Sequence, residues 1–269
     1  MEDKVDIAVQ RLRFASEMSL WYYQKPLLLS YSGGKDSDVC LELAKIAGIP
    51  FEVHHSHTTA DAPETVRHVR KNFRQLELEG IHCEIGYPCD RGKRTSMWVL
   101  IPQKLMAPTR LTRYCCEILK ETAGRNRWII TGVRWAESRK RKDTRGIYET
   151  NGSRTSNKII LNSDNDDLRQ LTEVCASKNK RVVNPIIDWT DVDVWSFLQD
   201  RKVPCNPLYC EFDRVGCVGC PMAGTKGRER EFLRWPKYQK LYLLAFDRML
   251  KERSVPAGRR TPSTSCRHP

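Results

Sequence analysis

Leu27-Leu28-Leu29-Ser30-Tyr31 is a short apolar run, and Ser32-Gly33-Gly34-Lys35-Asp36-Ser37 follows it directly. Val39, Leu43, Ala44 and Ala47 then fall on one helical face, and Gly48 stands where a left-handed C-cap belongs. A buried strand, a glycine turn and an amphipathic helix in that order constrain the chain strongly, because this unit feeds a parallel sheet through right-handed crossovers. The cycle repeats. Phe51–His57 reads as a second strand, Pro63–Glu79 as a helix opened by Pro63 and closed by Gly80, and Ile81–Ile85 as a third strand. The pattern predicts an α/β fold of three layers around a mostly parallel sheet, with any ligand at the C-terminal edge of the strands.

Val5, Ala8, Leu12, Ala15 and Met18 recur at helical spacing and predict an N-terminal helix over 1–24. Further on, 113–122 reads as helix, and 128–133, 158–161 and 182–187 read as strands. Residues 191–199 read as a helix capped by Thr190, with Asp193 completing a capping box. Residues 226–253 read as one charged helical stretch with Phe232, Trp235, Tyr238, Leu241, Tyr242 and Ala245 along one side, and 254–269 as a Pro/Ser/Arg tail. The expected organisation is an N-terminal helix (1–24), a central nucleotide domain (25–222) and a basic helical extension with its tail (223–269).

The turn at 32–37 has the chemistry of an anion cradle. Gly33 and Gly34 let backbone N–H groups approach a phosphate, the following helix N-terminus adds its dipole, and Lys35 adds a mobile cation. The hydroxyls of Ser32 and Ser37 can donate to the same oxygens, and Lys35 and Asp36 are the candidate catalytic pair. Ser, Gly and Asp are also ordinary turn residues, but the strand–turn–helix context favours phosphate. The Walker spacing is absent.

The chain holds 46 Lys+Arg against 33 Asp+Glu, a net charge of +13, and 11 cysteines. No segment approaches the ~18 apolar residues of a membrane span, and MEDKVDIAVQRLRF lacks an apolar secretory core, so a cytoplasmic setting and no membrane partner are expected. Thiols in a reducing compartment are ligands, nucleophiles or core residues rather than disulfides. Cys115-Cys116 and Cys217-Val218-Gly219-Cys220 form a set able to ligate zinc or a [4Fe–4S] cluster, and Lys120 follows one turn after Cys116, where its ammonium offsets thiolate charge. Cys205 and Cys210 are second-rank ligands, and Cys40, Cys83, Cys89 and Cys175 read as core residues.

Ser-Gly-Gly-Lys-Asp-Ser resembles the PP-loop of the adenine-nucleotide α-hydrolase superfamily, whose members bind ATP and cleave between its α and β phosphates. Cys-Cys-x-x-x-Lys with Cys-x-x-Cys, the Thr131–Ser138 segment, the Asn184–Trp195 block and Val203–Tyr209 together resemble the phosphoadenylyl-sulfate (PAPS) reductase family over roughly residues 25–222. The resemblance implies a Rossmann-like adenine-nucleotide α-hydrolase fold and nucleotide contacts from Ser32 to Ser37, Gly132 and Arg134. It also implies a [4Fe–4S] cluster on Cys115, Cys116, Cys217 and Cys220, with Lys120 beside it and facing the nucleotide. ATP or adenylyl sulfate/PAPS is the implied substrate, with magnesium as a candidate companion. Thr59–Thr65 matches the family loop that borders substrate.

Two departures matter. Family reductases usually carry a degraded PP-loop, whereas this one is intact, and their nucleophilic cysteine lies in a Glu-Cys-Gly-x-His segment that this chain lacks; only Cys266, beside His268, is available in its tail. Residues 134–145 hold 6 basic against 2 acidic residues and 225–260 hold 11 against 4, more than a small nucleotide needs. The favoured expectation is pyrophosphate-releasing sulfur transfer to an acceptor such as tRNA or DNA. The alternatives are a thioredoxin-dependent reductase that releases sulfite, with Cys266 as nucleophile, and a non-catalytic nucleotide- and cluster-dependent module. His54, His55 and His57 read as structural or site-edge residues, because strand alternation separates His54 from His55.

Overall fold

The computed structural model describes residues 1–121, 123–124, 126–151, 159–161 and 180–254. Cys175 and Cys266 lie outside them. In chain order the first elements are α1 (Glu2–Tyr23), β1 (Leu27–Ser30), α2 (Lys35–Ala47), β2 (Phe51–Ser56), α3 (Pro63–Leu78) and β3 (Cys83–Gly86). Next come β4 (Cys89–Asp90), β5 (Lys93–Arg94), α4 (Met97–Lys104), α5 (Tyr114–Leu119) and β6 (Trp128–Ile130). The remainder are α6 (Arg139–Thr144), β7 (Tyr148–Asn151), β8 (Ile159–Leu161), β9 (Lys180–Val183), α7 (Asp191–Asp200), α8 (Gly224–Arg234) and α9 (Pro236–Ser254).

Two compact units interleave along the chain. The first comprises Met1–His55, Pro63–Gly86 and Ala123–Val215. Its seven-stranded sheet runs β3-β2-β1-β6-β9-β7-β8. β1 pairs in parallel with β2 and β6, and β6 in parallel with β9, while β7 is antiparallel to β9 and β8. The central strands read Leu-Leu-Leu, Trp-Ile-Ile and Val-Val because both faces are covered. The α1 residues Ala8, Leu12 and Ala15 join Leu27, Leu29, Val39, Leu43 and Trp128 in one core. From β1 the chain winds outward to β3, then returns to β6 on the other side of β1. That reversal makes a topological switch point at β1/β6, where the loops leaving both strands flank a crevice.

The second unit comprises Ser56–Ala62, Tyr87–Thr122 and the chain from Gly216 onward. Its core gathers Ala60, Met97, Leu100, Ile101, Tyr114, Ile118, Cys217, Tyr242, Ala245 and Met249. The single helix expected over 226–253 is two helices. Trp235 leaves helical geometry (φ −127°, ψ 72°), and Pro236 opens α9. The cause is local: proline disfavours α geometry in the residue before it and has no N–H to continue α8. The helix expected at 113–122 is limited to Tyr114–Leu119, and α4 had no expectation. No helix among the described residues is long and apolar enough to cross a membrane.

Candidate functional site: a clamped phosphate loop and a four-thiol cluster

In the first unit, the loop after β1 is held by its own backbone and by neighbours. Gly34 N–H donates to Ser37 Oγ (3.1 Å), and Ser37 Oγ donates to Gly34 O (2.7 Å), so this hydroxyl closes the turn. Gly33 has φ +73°, and a Cβ there would meet Val69 Cγ2 at 2.7 Å. Its carbonyl accepts from Asn206 Nδ2 (2.9 Å), while Tyr209 Oη accepts from Lys35 N–H (3.0 Å). Behind the loop, buried Tyr31 donates to Asp38 Oδ1 at 2.5 Å and accepts from Asn72 at 2.5 Å, tying the end of β1 to α2. Burial pushes the Asp38 carboxyl up.

Gly132 ends β6 against the loop. A Cβ on it would stand 2.9 Å from the Asp36 backbone, so the absence of a side chain lets the two switch-point loops touch. Two residues on, Arg134 is buried, with its side chain 2% exposed. Arg134 Nε donates to Asp36 Oδ1 (2.7 Å), Nη2 to Asp191 Oδ1 (2.8 Å) and Nη1 to Trp189 O (3.3 Å). Lys35 Nζ joins the same carboxylates, at 2.9 Å from Asp191 and 3.3 Å from Asp36. The expected anion-binding pair is therefore held by two acids. They differ: the Asp36 side chain is 23% exposed and Asp191 65%. The hydrogen bond from Lys35, with Arg134 beside it, holds the Asp191 carboxyl below its ordinary range. Two cations converge at a helix N-terminus, and the acid between them on the solvent side is the more exposed of the two.

Asp191 starts α7. Thr190 Oγ1 accepts from Asp193 N–H (3.2 Å) and Asp193 Oδ2 from Thr190 N–H (2.7 Å), the expected capping box, and Asp193 also accepts from Lys4 (2.6 Å). Asp193 is thus structural while its neighbour faces the site. Along the basic run, Arg141 pairs with Glu137 and Arg145 with Glu149, so two of its cations hold local structure.

In the second unit, all four cysteines of the predicted set come together. Cys115 and Cys116 lie in the first turn of α5 and share a side-chain hydrogen bond. The Cys116 hydrogen bond and burial push the Cys115 thiol up, with charge on Cys116, Cys217 and Cys220 adding to the shift, whereas Cys116 is pulled down to about 6, chiefly by the Cys115 hydrogen bond and further by Lys120 and Arg113. Lys120 is an exposed residue whose ammonium faces Cys217, Asp61 and Cys116, and their negative charge raises its pKa. Gly219 makes the turn between Cys217 and Cys220: its φ is +73°, and a Cβ would strike Tyr242 at 2.5 Å. The loop after β2 closes over Cys217, whose Sγ lies 3.3 Å from Thr58 Oγ1 and 3.9 Å from Asp61 Oδ1, and Ala60 O accepts from Val218 N–H at 2.8 Å. Cys115, Cys217 and Cys220 share one core, Cys116 adjoins Cys115, and Lys120 stands beside them, although no three of the four sulfurs lie within 4.8 Å of one another.

Cys205 packs on the sheet core and Cys210 is exposed, both in the first unit. Cys40 is buried and Cys83 half-buried, as core residues should be. Cys89 is exposed, contrary to expectation, because its two-residue strand belongs to a small hairpin with no sheet to cover it. His54 packs on Gly86 and Glu84, and His55 Nδ1 meets Tyr31 O at 2.9 Å; both are structural. Asp191, Asn206, Tyr209, Thr58 and Asp61 carried no individual role in the sequence. Asn206 and Tyr209 lay inside a segment singled out there, and Asp191 beside the capping pair.

Residues 26–223 match the phosphoadenosine phosphosulfate reductase domain. The chain belongs to that family. Two uncharacterized proteins of Methanocaldococcus jannaschii are each 28% identical to it, over 233 and 206 residues, or 80% and 76% of this chain. The chain spans only 41% and 43% of their lengths. An adenosine 5′-phosphosulfate reductase of Staphylococcus epidermidis is 23% identical over 245 residues, 84% of each protein. Among solved structures, FMN adenylyltransferase of Candida glabrata with FMN and AMPCPP superposes with a TM-score of 0.51 at 14% identity, covering 80% of this chain and 63% of that one. The U34-tRNA thiolase NcsA of Methanococcus maripaludis, with its [4Fe-4S] cluster, gives 0.50 at 12% identity, covering 99% and 86%. This PAPS-reductase-family member thus shares its fold with enzymes of different chemistries.

Proposed function

We propose that this family member binds ATP at Ser32–Ser37, cleaves it between the α and β phosphates and uses the adenylate to deliver sulfur to a nucleic-acid acceptor. The observation that carries this reading is the convergence of Lys35 and Arg134 on an intact two-glycine loop. An acceptor oxygen attacks the α-phosphorus, and the bond from that phosphorus to the departing pyrophosphate breaks. A sulfide-level donor then attacks the carbon that bears the adenylylated oxygen, and the carbon–sulfur bond forms as the carbon–oxygen bond breaks and AMP leaves. Gly33 and Gly34 give the phosphates access to backbone N–H groups. Lys35 and Arg134 meet the negative charge that grows on the leaving group, where fixed cations stabilise a transition state most. Asp36 keeps the Arg134 fork in place. Magnesium is the natural companion of the triphosphate. Cys115, Cys116, Cys217 and Cys220 would hold a [4Fe–4S] cluster, with Lys120 offsetting its charge; when bound, that group supplies an iron site for handling sulfur or electrons.

The test is pyrophosphate release from ATP by anaerobically purified protein supplied with a nucleic-acid acceptor. Lys35→Ala should abolish it, and release unaffected by that substitution would reject the loop as the site. Retained ATP binding with no release would support the non-catalytic reading.

A second reading has its own support: the four-thiol set and the relatives named adenosine 5′-phosphosulfate reductase favour reduction of a sulfonucleotide, with a thiolate attacking sulfur and a thioredoxin-like protein regenerating the thiol. Sulfite release that requires Cys266 would establish it.

A further inference from the structure

We propose that the β4–β5 hairpin is a finger that grips the phosphodiester backbone of a nucleic acid through Arg91, Lys93 and Arg94. This rests on the reading that the sulfur acceptor is a nucleic acid.

The first observation is the turn. Cys89 pairs with Arg94 and Asp90 with Lys93, leaving Arg91-Gly92 as a two-residue loop. Both loop residues have positive φ, 51° and 77°. Such a hairpin turn favours Asn or Asp before the glycine, and a long side chain is strained there. An arginine kept in left-handed geometry at an exposed tip points to a role for its side chain rather than for the turn. Residues 91–94 are all exposed, and a Cβ on Gly92 would meet nothing within 4 Å, so the tip projects into open space.

The second observation is a stacked pair at the base of the hairpin. The Arg94 guanidinium lies 4.3 Å from the centroid of the Tyr87 ring, whose residue is 46% exposed, and His57 meets that ring edge-on at 5.5 Å. Stacking orders the arginine fork for bidentate contact with a phosphate and leaves aromatic edge available to a base or sugar.

The third observation is where the charge goes. The described residues of the first unit hold 22 Lys+Arg against 21 Asp+Glu, 22 − 21 = +1; those of the second unit hold 16 against 8, 16 − 8 = +8. The phosphate loop belongs to the nearly neutral unit. The surplus lies in the hairpin's own unit, as a field suited to a polyanion.

The experiment measures anisotropy of labelled bulk tRNA on the full chain across a salt series, with poly-aspartate as the acidic-polypeptide probe. Arg91→Asn should leave thermal stability unchanged or higher, since Asn suits the turn, and yet weaken tRNA binding about threefold. Adding Lys93→Gln and Arg94→Gln should weaken it at least tenfold and reduce the slope of log K against log salt by about three, one for each phosphate that is no longer neutralised. Unchanged affinity and slope would overturn the proposal. So would an equal weakening of poly-aspartate binding, which marks a surface for acidic proteins instead. Pyrophosphate release from ATP at saturating tRNA, measured on the same variants, separates the two ideas. A wild-type protein that binds tRNA through the hairpin but never cleaves ATP sinks the sulfur-transfer reading alone, and cleavage with hairpin-independent tRNA binding sinks the finger alone.

Discussion

Replacing Asp191 with Asn should tighten the binding of ATP and of pyrophosphate. The Asp191 Oδ1 atom lies 2.9 Å from Lys35 Nζ and 2.8 Å from Arg134 Nη2, so a phosphate oxygen entering between those cations must displace it. The Asp191 side chain is 65% exposed, which places both contacts in the solvent-screened class. Each is then worth about 0.2–1 kcal/mol, so removing the competing charge gains about 0.4–2 kcal/mol, or roughly 2- to 30-fold in affinity. Titration calorimetry with each ligand reads this directly, and the gain should shrink as salt screens the pairs. Asp193→Asn is the control: that carboxylate serves the helix cap and Lys4, so stability should fall by about 1 kcal/mol with nucleotide affinity unchanged. Unchanged binding in Asp191→Asn would show that the carboxylate does not compete with phosphate. Weaker binding would show that it contributes to the ligand site.

Cys217→Ser should strip iron from anaerobically purified protein, from about four per chain towards zero, whereas Cys205→Ser should leave it; iron analysis and visible absorbance report both. In metal-free protein the Cys116 thiol titrates near 6, so iodoacetamide labelling followed by mass spectrometry should show a midpoint there, shifted upward by Lys120→Ala. Because the folded-state pKa of Cys116 lies below its unfolded one, that thiolate's contribution is lost as pH falls through about 6, and urea titrations of wild type and Cys116→Ser should converge at the acid end. Gly33→Ala combines a left-handed backbone with a Cβ 2.7 Å from Val69 and should cost about 2–4 kcal/mol in urea denaturation.

Periodicity carried the first half of the sheet unit, since Leu27-Leu28-Leu29, the glycine turn and the α2 stripe are local patterns. It failed where structure depends on distant partners. Met97–Lys104 shows no polar–apolar alternation and contains Pro102, so its Ser96 N-cap is a weak local mark of a helix, yet its Met97, Leu100 and Ile101 fill the second core. The break at Trp235 was legible from Pro236 and was overridden by an apolar stripe that continued across it. Arg134 was readable as a charge near the loop, but its partners Asp36 and Asp191 are 98 and 57 residues away in sequence. Spacing singles out Cys115, Cys116, Cys217 and Cys220 as candidate ligands; it does not reveal Thr58 and Asp61, which reach Cys217 only because a loop closes over it.

The central claim is that this chain cleaves ATP rather than a sulfonucleotide. Anaerobic protein should be given ATP with a nucleic-acid acceptor and a sulfide donor in one reaction, and adenylyl sulfate or its 3′-phosphate with a thiol reductant in another. The predicted result is pyrophosphate and AMP from the first, abolished in Lys35→Ala, with no sulfite from the second. Thiol-dependent sulfite with no pyrophosphate would contradict it.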